Sequence, residues 1–246
     1  MSKGNSAMKK LLPILLLMFC IPWLGGCMYP EGRLAANQVP YESQMESVQK
    51  AIEQFQKDNG GILPIKTRNM KTPIYQKYPI DFNRLIPKYL PDAPGNAYES
   101  GGNYLYVLLH AEKKPEVKLI DLRTSETIRD LKIRLAAYME SNGYPPYSKV
   151  LSDKVYSLDF KELGYQSPPQ AVSPYSGVYM PIVIDNKGNL YADYSVDLAK
   201  ALKESGTHPK NGEDIRDLLA EKSPFVPAFS MPYTVNKDNE PIFMIQ

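Results

Sequence analysis

The sequence predicts an α+β fold of three tandem helix-plus-β-hairpin modules packed together, an antiparallel sheet covered by helices. Three observations predict it. One order of parts recurs: an amphipathic helix, a glycine stop, a proline loop, an acidic turn and two short strands around a polar turn. The spacing from stop to acidic turn shortens in steps, from Gly60–Asp81 to Gly143–Asp159 to Gly206–Asp214, as loop deletions in a repeat would shorten it. The joins near Leu122–Thr124 and Tyr194–Ser195 leave almost no linker, so the modules must pack rather than hang as beads. One hairpin and one helix cannot bury enough apolar surface alone, whereas adjoining copies can share a core.

The first module spans 41–122. "SQMESVQKAIEQFQKDNG" places Met45, Val48, Ile52 and Phe55 on one helical face. Ser43 with Glu46 fits a capping box, and Asn59-Gly60 fits a stop. After "DFNRL" (Asp81 to Leu85) and "PDAPGNAY", the runs "NYLYVLLH" and "EVKLIDL" flank the polar turn "AEKKP" as a hairpin. The second module, 123–194, restarts with Ile128, Leu131, Leu135 and Tyr138 on one face and stops at Asn142-Gly143. "LDFKEL" matches the first acidic turn, and "MPIVID" and "LYADY" flank "NKGN". The third, 195–246, is shorter. Ser195 is its expected N-cap, Ser205-Gly206 its stop, "DIRDL" its acidic turn and "MPYTVNKDNEPIFMIQ" its hairpin.

Residues 1–26 read as a leader rather than fold. A basic stretch with Lys3, Lys9 and Lys10 precedes "LLPILLLMFCIPW", an apolar run shorter than the roughly 20 residues of a membrane span. Met8 also opens a complete leader. "LGGC", Leu24 to Cys27, resembles the lipobox of bacterial lipoproteins. The resemblance implies signal peptide cleavage between Gly26 and Cys27 and a palmitate-type lipid on Cys27, whose thiol is the nucleophile that forms the thioether. Residues 27–40 then form a tether. Cys20 would leave with the leader, so Cys27 would be the one remaining cysteine and no internal disulfide could form. Losing the leader removes three lysines and no acids, leaving 26 bases against 27 acids. That balance argues against nucleic acid as a partner and offers no basic patch for a membrane surface. The expected location is the outer, extracytoplasmic face of the cell membrane, with the lipid as membrane anchor.

Two wider resemblances follow from these motifs. "KDNGGILP" with "PDAPGNAYES", and "MESNGYPP" as a second copy, are similar to the soluble head of the type II secretion pseudopilins, which implies a related head architecture. The lipobox stands where that family carries its assembly helix, which speaks against a filament. The whole chain resembles the YphF-like group of uncharacterised membrane lipoproteins of Bacillus-type Firmicutes, sometimes labelled transporter binding proteins. That resemblance implies no mechanism.

Chemistry has little to stand on. His110 and His208 have no carboxylate or second histidine at ligand spacing, so no metal or other cofactor is expected. Ser47 and Lys50 match Ser-x-x-Lys inside an amphipathic helix, without companion motifs. "DNKGNLYAD" lacks the closing glutamate of a calcium loop and reads as a hairpin turn. Asp81, Asp159 and Asp214 recur once per module, which suits capping of a short helix better than acid/base catalysis. The open signal is the tyrosine excess: Tyr75, Tyr98, Tyr144 and Tyr147 lie in proline-rich loops as candidate partner contacts. The expected function is therefore non-catalytic, a binding or scaffolding role with a protein or cell-wall partner. The alternative is a solute-binding lipoprotein of a transporter.

Overall fold

A computed structural model describes residues 40–244, and in them the helix-then-hairpin order recurs three times. The leader, the Gly26/Cys27 cleavage site and residues 27–39 of the tether lie outside the described residues. The fold is α+β, with small antiparallel sheets and four α-helices among the described residues.

Helix α1 (Tyr41–Asp58) buries Val48, Ala51, Ile52 and Phe55, the expected face. Its start is not the predicted capping box. Pro40 is the N-cap, Ser43 lies inside the helix, and the Ser43 hydroxyl donates to the Pro40 carbonyl at 3.0 Å. The Tyr41 ring packs 5.8 Å from Phe225, so tertiary packing carries the helix start three residues further back, from Ser43 to Pro40 as N-cap. The stop is as predicted. Asn59 bonds the Phe55 carbonyl through both its backbone N–H and its side-chain amide, and Gly60 takes φ +63°.

Strands β1 (Tyr104–Leu109) and β2 (Glu116–Asp121) pair antiparallel from Tyr104↔Asp121 to Leu109↔Glu116. Both faces of this hairpin are covered. Tyr106, Leu108, Val117 and Leu119 meet α1, Ile80, Phe82 and Leu85 in one core. Val107, Leu109 and Ile120 face the other way, onto Ala220, Val226 and Ala228. Helix α2 (Leu122–Asn142) starts where β2 ends. Asp121 caps it by accepting the Arg123 N–H at 3.0 Å and the Arg123 guanidinium Nε–H at 2.9 Å.

Helix α2 buries Ile128, Leu131 and Leu135 against a second core. That core also holds strands β7 (Ile182–Asp185) and β8 (Leu190–Ala192), helix α3 (Ser195–Ser205) and Tyr233 of strand β9 (Tyr233–Val235), which pairs with β10 (Pro241–Phe243). The second and third copies thus share one core. Ser195 is the first helical residue of α3 rather than its N-cap, and Asp193 accepts its N–H at 2.9 Å. The helix stops are glycines in the left-handed region: the Gly143 N–H bonds the Met139 carbonyl and the Gly206 N–H bonds the Leu202 carbonyl.

An unforeseen hairpin, β3 (Tyr147–Ser152) with β4 (Val155–Leu158), joins β7 and β8 in a four-stranded sheet of order β3-β4-β7-β8. Strands β5 (Ala171–Val172) and β6 (Tyr179–Met180) form a separate pair, and a short helix, α4 (Asp217–Lys222), follows the third acidic turn. The segment after α4 reaches back to the first copy. The Leu119 N–H donates to the Pro224 carbonyl at 2.8 Å and the Val226 N–H to the Leu119 carbonyl at 3.0 Å. The buried Lys118 ammonium donates to the Ala220 and Ser223 carbonyls at 2.7 and 3.0 Å. Burial, the largest influence on this amine, lowers its pKa.

Candidate functional site

The recurring aspartates are turn residues. Oδ1 of Asp81 accepts the Asn83 N–H at 3.3 Å, that of Asp159 the Lys161 N–H at 3.0 Å, and that of Asp214 the Arg216 N–H at 3.2 Å. The same two-residue reach in all three copies fits the capping role. Two of the copies share a further contact: the Asp81 N–H bonds the Pro64 carbonyl and the Asp159 N–H the Pro146 carbonyl. Each proline past a helix stop therefore holds the acidic turn that follows.

The Ser47 hydroxyl donates to the Ser43 carbonyl at 2.9 Å while Lys50 pairs with Glu46. The two side chains of the Ser-x-x-Lys match are thus engaged with other partners. His110 and His208 are exposed, His110 in the turn after β1 with φ +52°. No group of three or more His, Cys, Asp and Glu able to hold a metal occurs among the described residues.

Asp185, in the calcium-like string, spends its carboxylate on its own turn. It accepts the Lys187 and Asn189 N–H groups at 2.8 Å, the Asn189 amide at 2.9 Å and the Tyr191 hydroxyl at 3.2 Å. Burial pushes this carboxyl upward, but the hydrogen bonds from Asn189, Lys187 and Tyr191 outweigh it and leave the pKa lowered. A lowered folded-state pKa contributes stability that is present above the unfolded value, about 3.9, and lost as pH falls through the folded value. Asp185→Asn is therefore expected to cost about 1–2 kcal/mol at pH 7 in urea unfolding. The gap from the parent should narrow below about pH 4. A gap independent of pH would contradict this account.

The tyrosines divide. Tyr75 is not a contact residue: it is 3 % exposed, its hydroxyl donates to Asp217 at 2.6 Å, and its ring lies 5.1 Å from the Arg216 guanidinium. The apolar segment after α4 covers it, a long-range contact that its loop sequence does not signal. Tyr98, Tyr144 and Tyr147 are exposed. Tyr98 stands in its own turn (Tyr98–Ser100), beside the Lys66–Glu99 ion pair. Tyr144 lies three residues before Tyr147, the first residue of β3, whose ring is 4.6 Å from Tyr156. Strand β3 is the edge of its sheet, and Val150 (73 % exposed) and Leu151 are further exposed apolar residues on it. Irregularities on either side of Val150 break its register with β4.

A cleft of about 280 Å3 opens at the start of α3, lined by Tyr41, Tyr175, Ser176, Asp197, Lys222 and Phe225, among others. Asp197, in the first turn of α3, is 4 % exposed and accepts the Ser176 hydroxyl at 2.6 Å. The Tyr175 ring packs 5.9 Å from Tyr194, and its hydroxyl is buried with no hydrogen-bond partner. Burial, then Tyr194, Tyr75 and Asp197, push this phenol well above its ordinary pKa and keep it protonated. Asp197 carries no functional signal in the sequence, because an acid in a first helical turn is ordinary dipole compensation. Its convergence with Tyr41 and Phe225 depends on the fold.

The stretch from the first residue of α1 to the last of β2 is also where a comparison with known families finds a match. Residues 41–121 match the YphF family N-terminal domain. No curated protein and no solved structure matches the chain. The YphF-like stretch holds α1, the hairpin β1–β2 and Tyr98; Tyr144, Tyr147 and Asp197 lie beyond it. Its core is completed from outside by Phe225. No helix among the described residues is long and apolar enough to cross a membrane.

Proposed function

We propose that this chain is a lipid-anchored extracytoplasmic protein with a non-catalytic binding role. It is held to the outer face of the cell membrane through Cys27 and offers the β3 edge to a protein partner. One observation carries the reading: Tyr147, Val150 and Leu151 are exposed on the edge strand β3, with Tyr144 exposed just before it, a concentration of large apolar side chains in which Lys149 is the one charged residue. The broken register of β3 limits continuous main-chain pairing, so the side chains make the contact. The lipobox supports the anchor. The alternative, a transporter's solute-binding lipoprotein, calls for two lobes around a deep cleft, and the described residues form one compact unit.

Photocrosslinking from Tyr144 and Leu151 in intact membranes is expected to capture one protein, and from Lys237, exposed in the β9–β10 turn, to capture none. Capture of wall glycan instead would move the partner class to the cell wall, and equal yields at all three positions would remove the β3 edge. Cys27→Ser is expected to abolish fatty-acid labelling and release the protein. Persistent labelling would end the lipid assignment.

A further inference from the structure

We infer that the cleft at the start of α3 is a binding site for a small ligand carrying a primary ammonium group. Three aspartates, Asp121, Asp185 and Asp197, are buried among the described residues. Asp121 has the Arg123 guanidinium. Asp185 has four hydrogen-bond donations. Asp197 has a single hydroxyl, that of Ser176, and no cation within ion-pair distance among the described residues. A carboxylate that buried is costly unless hydrogen bonds and a counter-charge satisfy it. The N-terminus of α3 offsets part of that cost. The remainder is unspent affinity for a cation.

The surroundings suit an ammonium. The rings of Tyr41, Tyr175 and Phe225 line the same cleft, and aromatic rings attract cations. The other charged residues of the lining are Lys200, Glu204 and Lys222, so the four charges sum to zero. A bare polycation is disfavoured by the two lysines, and a ligand whose ammonium sits on a polar body with acceptors is favoured. The cleft volume of about 280 Å3 falls at the small end for ligand sites, roughly 300–1,000 Å3, and accommodates about one residue. A peptide N-terminus and an amino sugar share this chemistry. The site shares no residue with the β3 edge and requires no lipid, so its failure and that of the proposed function are separable.

The test is calorimetric titration of the full-length protein with trialanine, N-acetyl-trialanine, glucosamine and N-acetylglucosamine. At least one free amine is expected to bind, and its acetylated form to bind at least about tenfold more weakly, as loss of a charge-assisted hydrogen bond predicts. Which amine binds identifies the source as peptide or sugar. Asp197→Asn is expected to weaken the free amine by at least about tenfold and leave the acetylated form unchanged. Equal binding of free and acetylated forms, or saturable binding of none of the four, would overturn the inference. So would an unchanged affinity in folded Asp197→Asn. Should that variant not fold, the acetylation comparison on the parent protein decides alone.

Discussion

Gly102→Ala should destabilise the protein by about 3 kcal/mol or more, beyond the usual range for adding one methyl. A Cβ at position 102 would stand 2.1 Å from the Asn96 carbonyl oxygen and 2.2 Å from its carbon. Both are backbone atoms, so no rotamer change relieves the clash. The neighbourhood cannot move cheaply either. The Asn96 carbonyl accepts the Tyr104 N–H, the Gly102 N–H bonds the Ala97 carbonyl, and the Asn96 side chain accepts the buried Tyr106 hydroxyl at 2.7 Å. Displacing Asn96 thus loosens the entry to β1 and strands a buried phenol. Gly101→Ala is the comparison. Its φ of +82° makes alanine strained by conformational preference, for about 1 kcal/mol. Denaturant midpoints of the two variants would separate a steric clash from a conformational preference, and equal losses would refute the former.

Phe225→Ala should cost about 3–5 kcal/mol, the range for emptying a buried aromatic site. The ring is 7 % exposed and lies 5.8 Å from Tyr41 and 5.4 Å from Tyr104, inside the core of the YphF-like stretch. Its own neighbours in sequence contact β2 through the Leu119 bridge, so the cavity would open at the seam between the first copy and the end of the chain. Amide exchange should quicken in α1, more than 160 residues away along the chain. A loss confined to 217–229, with α1 protection unchanged, would show that the first core closes without this ring.

These residues mark the boundary of what the sequence makes legible. Local patterns placed the helix faces, the glycine stops, the three hairpins and the aspartate turns, because spacing and turn chemistry within a few residues determine them. The β3–β4 hairpin escaped notice since β3 is exposed on both faces and so lacks a buried alternation, and its turn, Asp153-Lys154, is not an Asn-Gly. The beginnings of α1 and α3 moved because a ring contact and Asp193 override the nearest serine. Tyr75 is buried by a segment some 150 residues later. Asp197 becomes a candidate only when Ser176, Tyr41 and Phe225 arrive from separate parts of the chain.

The Leu119 bridge to Phe225 also sets a clock. A ribosome extends the chain at about 5–20 residues per second, N-terminus first, so roughly 5–20 s separate the appearance of Leu119 from that of Val226. Through that interval the outer face of β1–β2 has no cover and the buried site of Lys118 no acceptor carbonyls. The first copy must wait, only partly consolidated, for the last. A chain that completes its earliest core with its latest segment stays pliable until that segment arrives.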